Sequence, residues 1–339
     1  MRNRLLLLVA ALAVLGAIAG ARAWRSMTAP FKAYQGEAAV VTIVRGASLP
    51  EVARALRDAG IVRSAQLFSL GARVRGDAGR LQAGEYLFER PMSPWEVLDK
   101  ILRGDVVLRS VTIPEGLSGP QVIERFARAG LATAVDLEAA FRDVSLVAGW
   151  DSEARDLEGY LFPETYRFAR GTPARRIVGT MVGRFRLLLN EGLRERAARL
   201  GMTTREAVTL ASLIERETSI ASERPRISAV FHNRLRAGMP LQCDPTVIFA
   251  LAAAGRASGE LSSEDLAFVS PYNTYLNAGL PPGPIASPGR AAIEAAVSPA
   301  AVADLYFVAD GTGGHRFSTS LAEHQRAVAR YRRLRRGGA

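Results

Sequence analysis

One cysteine, three histidines and two lysines are all that a chain of 339 residues holds of those types. Each scarcity excludes something. A lone Cys243 cannot close an intramolecular disulfide, so no disulfide framework holds the fold. Its ordinary place is that of a small buried apolar residue. His232, His315 and His324 lack metal-ligand spacing, and His-Glu-x-x-His is absent, so no metal is expected. Gly-x-Ser-x-Gly and the Walker A loop are absent too, which removes a serine-nucleophile elbow and a nucleotide-phosphate cradle. Neither zinc-finger spacing nor basic stretches interleaved with aromatics occur, so nucleic acid is not an expected partner. Lysine stands only at Lys32 and Lys100, so arginine supplies nearly all of the net charge of +11. Such a field favours polyanions, here an anionic membrane surface or an acidic wall polymer.

What is present is an ordinary globular composition, 48% hydrophobic and 23% charged, rich enough to bury a core. Leu5 to Ala21 is an unbroken apolar or glycine run preceded by Arg2 and Arg4. It predicts a single transmembrane anchor, residues 1–23 with the cytoplasmic tip, oriented with its N-terminus inside. Ala21-Arg22-Ala23 also fits a small-x-small cleavage pattern. Under either reading the chain after Trp24 lies outside the cytoplasmic membrane, and the expected location is the inner membrane with the larger domain beyond it. Residues 24–38 read as a linker.

An internal repeat follows. Val41-Thr42-Ile43, Gly46, Ser48, Pro50, Val52, Ala59 and Gly60 recur seventy positions later as Val111-Thr112-Ile113, Gly116, Ser118, Pro120, Val122, Ala129 and Gly130, nine identities in twenty ungapped positions. Each copy predicts a β-branched strand, a glycine turn and a helix capped by serine with proline in its first turn. The first copy continues through a helix near Ser64–Arg73 and a strand over 81–86. That order resembles a LysM-type βααβ module, over 39–105. A further helix, Ser93 to Arg103, opens on a capping box. The boundary is expected near Gly104-Asp105. Residues 106–339 then form a larger mixed α+β domain, with helices at 136–143, 173–199, 203–217, 223–237, 289–296 and 320–335 and strands at 305–309 and 315–318.

The helix over 203–217 carries the strongest chemical signal. At about 100° per residue, Ala207, Leu210, Ala211, Leu213 and Ile214 form its apolar stripe. Glu217 falls within that stripe and Glu215 at its edge, while Arg216 points away. A carboxyl on a core-facing surface at a helix C-terminus is held protonated by burial and by the negative end of the helix dipole. That is the state a general acid requires. Spacing alone equally allows a structural Glu217 paired with Arg224 or Arg226. Loop stretches around Tyr160, Glu164, Asn233, Gln242, Asp244, Tyr272 and Asn273 combine amides, carboxylates and aromatic faces, a mixture suited to sugar. Each also has a reading as a turn former or buried hydrogen-bonding residue.

Together these blocks resemble the YceG-like family of endolytic murein transglycosylases. The matches are Leu157-Glu158-Gly159-Tyr160-Leu161-Phe162-Pro163-Glu164-Thr165-Tyr166, Ala211-Ser212-Leu213-Ile214-Glu215-Arg216-Glu217-Thr218, Phe231-x-Asn233-Arg234-Leu235, Leu241-Gln242-x-Asp244-Pro245-Thr246, Tyr272-Asn273-Thr274-Tyr275, Gly279 through Ile285, and Leu305-Tyr306-Phe307-Val308-Ala309. The resemblance implies that Glu217 is the catalytic glutamate. It also implies non-hydrolytic cleavage of the bond between N-acetylmuramic acid and N-acetylglucosamine, leaving 1,6-anhydro ends. No cofactor is implied, and peptidoglycan strands, the membrane and peptidoglycan synthases are the implied partners. Cys243 departs from the threonine or serine usual in the family. Two rivals stay open: a hydrolytic muramidase with Asp244, Glu158 or Glu164 as second carboxylate, and a non-catalytic wall-binding protein.

Overall fold

The computed structural model describes residues 2–256 and 261–337, with side chains from residue 10 to residue 335. The chain divides into two compact units, Met1–Arg109 with Arg167–Gly171, and Ser110–Tyr166 with Thr172–Ala339. The sequence boundary at Gly104-Asp105 lies a few residues before this division.

In the first unit, helix α1 (Arg2–Thr28) leads to β1 (Ala39–Ile43), α2 (Leu49–Asp58), α3 (Ala65–Val74), β2 (Gly84–Phe88) and α4 (Pro94–Arg103). Among the described residues no helix is long and apolar enough to cross a membrane. The side chains of Leu5 to Val9, which begin the apolar run, and those of Arg2 and Arg4 lie outside the described residues. The far end of α1 is tied down: Met27 is buried, and α1 packs on α3 and α4. β1 and β2 pair antiparallel from Ala39↔Phe88 to Ile43↔Gly84. The expected strand over 81–86 therefore starts later, because this register pairs Gly84 with Ile43. Val52, Leu56, Phe68, Ala72, Tyr86, Phe88, Val97, Leu98 and Ile101 fill one apolar core. Above it Glu85 is nearly buried and takes Arg109 at 3.3 Å and Arg170 at 3.0 Å.

The chain continues with β3 (Leu108–Thr112), α5 (Gly119–Arg128), α6 (Ala134–Phe141) and β4 (Thr165–Ala169), and β3 pairs with β4. The repeat thus extends further than the aligned residues. Each copy is strand, helix, helix, pairing strand, but in the second copy residues 142–164 intervene before the closing strand. Both copies use left-handed glycines at equivalent places: Gly46 and Gly116 at φ +83° and +81°, Gly60 and Gly130 at +70° and +66°. Side chains other than glycine rarely adopt that backbone.

The second unit then holds α7 (Ala174–Leu188), α8 (Glu191–Arg199), α9 (Thr204–Glu217), α10 (Arg224–Arg236), α11 (Asp244–Ala253), α12 (Ser263–Leu266), α13 (Arg290–Ala296), the antiparallel hairpin β5 (Tyr306–Ala309) and β6 (His315–Ser318), and α14 (Leu321–Gly337). The single helix expected over 173–199 is two. Asn190 accepts the Leu193 N–H at 3.0 Å and starts a new helix, as a short polar N-cap does. α9 is the central element, with α10 and α13 packed on it and Ala207, Leu210, Ala211, Leu213 and Ile214 all buried. The architecture is α+β, its strands confined to two-stranded sheets.

Candidate active site

Helix α9 begins with a capping box. Glu206 accepts the Thr203 N–H at 2.7 Å, and Thr203 Oγ1 accepts the Glu206 N–H at 3.1 Å. This reciprocal cap fixes where the helix begins. At that far end the two competing glutamates part company. Glu215 is tied down: Arg224 Nη2 donates to it at 3.1 Å, and the Gly289 N–H donates to its other oxygen at 3.0 Å. Arg224 also lies 3.6 Å from Glu115, and Arg226 is engaged by Asp304. Both arginines that could have paired with Glu217 are therefore committed elsewhere. Arg216 donates to the Gly116 carbonyl at 3.2 Å.

Glu217 is half-buried at the end of α9 and has no salt-bridge partner among the described residues. Burial pushes its carboxyl up to about 7, and the negative charge of Asp244 pushes the same way. A hydrogen bond from the Cys243 thiol, the charge that His315 carries when its ring is protonated, and the positive field of Arg216 oppose the rise without cancelling it. The result is a carboxyl poised to exchange a proton near neutrality.

A strained turn delivers Cys243 to this carboxyl. Gln242, at φ +51°, is the only non-glycine residue with positive φ among the described residues, a conformation that costs about 1–2 kcal/mol. Surrounding bonds hold it there. Arg234 donates to the carbonyls of Leu241 at 2.8 Å and Pro240 at 3.1 Å, and through Nε to Leu305 at 2.7 Å. The Gln242 N–H donates to the Thr274 carbonyl at 3.1 Å, and the Cys243 N–H to Thr274 Oγ1 at 3.0 Å. Thr246 Oγ1 closes the turn onto the Cys243 carbonyl at 2.7 Å. The thiol itself is pushed well up by burial and by the nearby Glu217 charge, so it is a neutral donor. Cys243→Val is expected to move the Glu217 carboxyl further up, because it removes a bond that favours the ionised form. Cys243→Ser should leave it in place. A carbon-13 titration of the Glu217 carboxyl checks both; an unmoved midpoint in the valine variant would refute this role of the thiol.

The remaining sequence candidates fall in different places. Asp244 stands beside this centre at the start of α11 and accepts the Tyr275 hydroxyl at 2.5 Å. Gln242 is exposed next to Cys243, its amide 3.4 Å from Arg234. Tyr160 requires correction: it is fully buried, donates to Asp151 at 2.6 Å and meets Phe185 edge-on at 5.3 Å, leaving no face for a sugar. Asn273 is likewise buried, its amide spent on the carbonyls of Leu266 and Phe268. Asn233 is consumed by the carbonyls of Val302 at 3.0 Å and Asp304 at 2.7 Å. Tyr272 packs on Phe249 at 4.9 Å, with Asp156 and Arg205 as its charged neighbours rather than Glu217. Glu164 pairs with Arg184 at 3.1 Å. Glu158 is buried, accepts the Gly119 N–H at 2.8 Å and is pushed up to about 8 by burial. Of the three proposed second carboxylates, Asp244 is the one whose charge acts on Glu217.

Residues the sequence reading passed over are Arg234, Tyr275, Glu223 and His315. Arg234 stands one position from Asn233 and Tyr275 two from Asn273, within the same sequence blocks. His315 and Glu223, 92 residues apart, are joined by hydrogen bonds and carried no local signal. Among the described residues no three His, Cys, Asp or Glu side chains converge as metal ligands.

Fold and site together define a mixed α+β protein with a carboxyl raised toward neutrality at the end of its central helix. The chain belongs to the YceG-like family, whose model matches residues 41–330. It is 31% identical over 307 residues to the endolytic murein transglycosylase of Bacillus subtilis (strain 168), covering 86% of this chain and 84% of that one. Identity to the Streptococcus pneumoniae (serotype 2, strain D39) endolytic murein transglycosylase is also 31%, over 89% of this chain and 60% of that protein. The crystal structure of a yceG-like protein from Listeria monocytogenes superposes with a TM-score of 0.58 at 32% identity, covering 86% of this chain and 98% of that one.

Proposed function

We propose that this protein is an endolytic murein transglycosylase that cuts peptidoglycan glycan strands between N-acetylmuramic acid and N-acetylglucosamine, with Glu217 as general acid. The observation that carries the reading is the Glu217 carboxyl, raised to about 7 by burial and held in no salt bridge among the described residues. A carboxyl of that kind keeps a substantial protonated fraction at neutral pH and can give its proton to a departing glycosidic oxygen. The C6 hydroxyl of the muramic acid closes on the anomeric carbon and makes the 1,6-anhydro end. The nucleophile belongs to the substrate, so neither water nor a second carboxylate nucleophile is needed. The names of the similar B. subtilis and S. pneumoniae proteins support the same substrate.

The reading extends to the rest of the chain. The βααβ unit over 39–105 serves as a LysM-like wall-binding module. The apolar run behind Arg2 and Arg4 anchors the protein in the inner membrane, so that cutting takes place outside it on nascent strands, beside the synthases whose products it ends. Mass spectrometry of digested strands tests the chemistry: 1,6-anhydromuramic ends are expected. Reducing muramic ends would transfer the site to a hydrolytic muramidase with Asp244 as second carboxylate.

A further inference from the structure

The helix end that carries Glu217 is bonded to a carboxylate–histidine pair. Thr218, the next residue, donates its hydroxyl to Glu223 Oε2 at 3.1 Å. The same oxygen is 2.7 Å from His315 Nδ1, and Glu223 Oε1 accepts the His315 N–H at 2.8 Å. Two bonds from one carboxylate fix both the backbone and the ring of His315, the first residue of β6. Phe307 clamps the ring edge-on at 5.4 Å, and Phe317 lies 6.4 Å away. Burial opposes ionisation of Glu223, but the bonds from His315 and Thr218 prevail and hold its carboxyl below the usual range. An ionised carboxylate only accepts, so Nδ1 carries the hydrogen, and in the neutral ring Nε2 carries the lone pair. Nε2 has no hydrogen-bond partner among the described residues and is not sealed from solvent. Glu223, Glu217 and Asp310 are electrostatically coupled to the ring, and Arg316 and Arg330 stand across the cavity it lines. His315 also lines a cavity of about 280 Å³ with Asp310, Thr312, Arg316, Arg330 and Tyr331.

A histidine held by a carboxylate through one nitrogen, with its other nitrogen open and its charge felt by the Glu217 carboxyl, is the arrangement of an oriented general base. We propose that His315, positioned by Glu223, is the base that takes the C6 hydroxyl proton of the muramic acid. This rests on the transglycosylase reading and divides its two proton transfers between two residues. The Glu217 proton passes to the glycosidic oxygen as the bond from the anomeric carbon to that oxygen breaks. The C6 hydroxyl proton passes to Nε2 as the bond from the C6 oxygen to the anomeric carbon forms. Glu217 ends as carboxylate and His315 as imidazolium. Return of the proton from His315 to Glu217 restores both, and nothing is consumed.

The test uses the full chain and isolated glycan strands. His315→Gln should lower kcat by about 10²–10⁴-fold, the contribution of a positioned base, with KM and melting temperature little changed. His315→Gly should regain rate when imidazole is added, a response that a purely structural histidine would not give. Glu223→Gln should show a smaller loss of kcat. A His315→Gln enzyme within about threefold of wild type, or a folded glycine variant that imidazole does not restore, overturns the proposal. Should the glutamine variant fail to fold, His315→Phe keeps the packing against Phe307 and removes both nitrogens; a wild-type rate there also overturns it. Product ends are read in the same reactions. Reducing ends from the wild-type enzyme would sink the transglycosylase reading itself, whereas anhydro ends with an unaffected His315→Gln would sink only the base.

Discussion

Glu217→Gln is expected to yield a folded protein that no longer cuts glycan strands, with kcat lower by at least about 10²–10⁴-fold. Glutamine keeps the size and hydrogen-bonding capacity of the protonated acid but has no proton to give. The direction of its stability effect follows from the raised carboxyl. The unfolded chain releases the Glu217 proton in the ordinary carboxyl range, the folded chain only near 7. Between those limits the folded state binds more protons, so wild-type stability falls as pH rises across that window. The variant has no such proton, and at pH 8 its melting temperature should equal or exceed that of wild type. The wild-type rate should fall as pH rises through about 7, because the acid is then ionised. Retained cleavage by Glu217→Gln would remove this residue from the mechanism; a lower melting temperature at pH 8 would refute the burial argument.

The side of α9 on which Glu217 lies is legible in the sequence because helices carry phase. The stripe from Ala207 to Ile214 fixed which way Glu217 faced, and the structure buries that whole stripe. Helix phase could not show that Glu215 would take Arg224 and Gly289, since those partners come from α10 and the turn before α13. The repeat at 41–60 and 111–130 was visible as identities. Its closing strand β4 was not, because residues 142–164 separate it from α6. Sugar-like composition misled at Tyr160, Asn233 and Asn273. Amides and hydroxyls serve an interior turn as well as a ligand, and only burial separates the two uses. The sequence leaves α11 ambiguous, because its opening, Asp244-Pro245-Thr246, has turn chemistry that is equally helix-start chemistry. His315 and Glu223 meet across 92 residues, a pairing that local periodicity does not encode.

Arg205→Met should cost about 3–5 kcal/mol of stability, a fall in melting temperature on the order of 10 °C for a unit of this size. Arg205, in the first turn of α9, lies 2.7 Å from Asp151, whose side chain is only 2% exposed. Tyr160 donates to the same Asp151 oxygen at 2.6 Å. Arg205 also donates through Nε and Nη2 to the Pro282 carbonyl at 2.9 Å and 2.6 Å. It thereby joins α9, the segment after α6 and the proline-rich block in one knot. Methionine preserves the packing of the stem but leaves a buried carboxylate with only two neutral donors, the Tyr160 hydroxyl and the Glu153 N–H, and that unpaired charge is the source of the cost. Asp151→Asn added to Arg205→Met should therefore recover part of the loss, as expected for partners in one network. The effect on chemistry should be small at low temperature. Twelve residues of helix, roughly 18 Å, separate Arg205 from Glu217, and no bond of the knot reaches the Gln242–Cys243 turn. Thermal melts of the single and double variants, with glycan cleavage assayed well below the transition, test both halves. A melting temperature within about 2 °C of wild type would mean that Asp151 is solvated or neutral in the folded protein, while lost cleavage in a folded variant would mean that the knot aligns the acid as well as the fold.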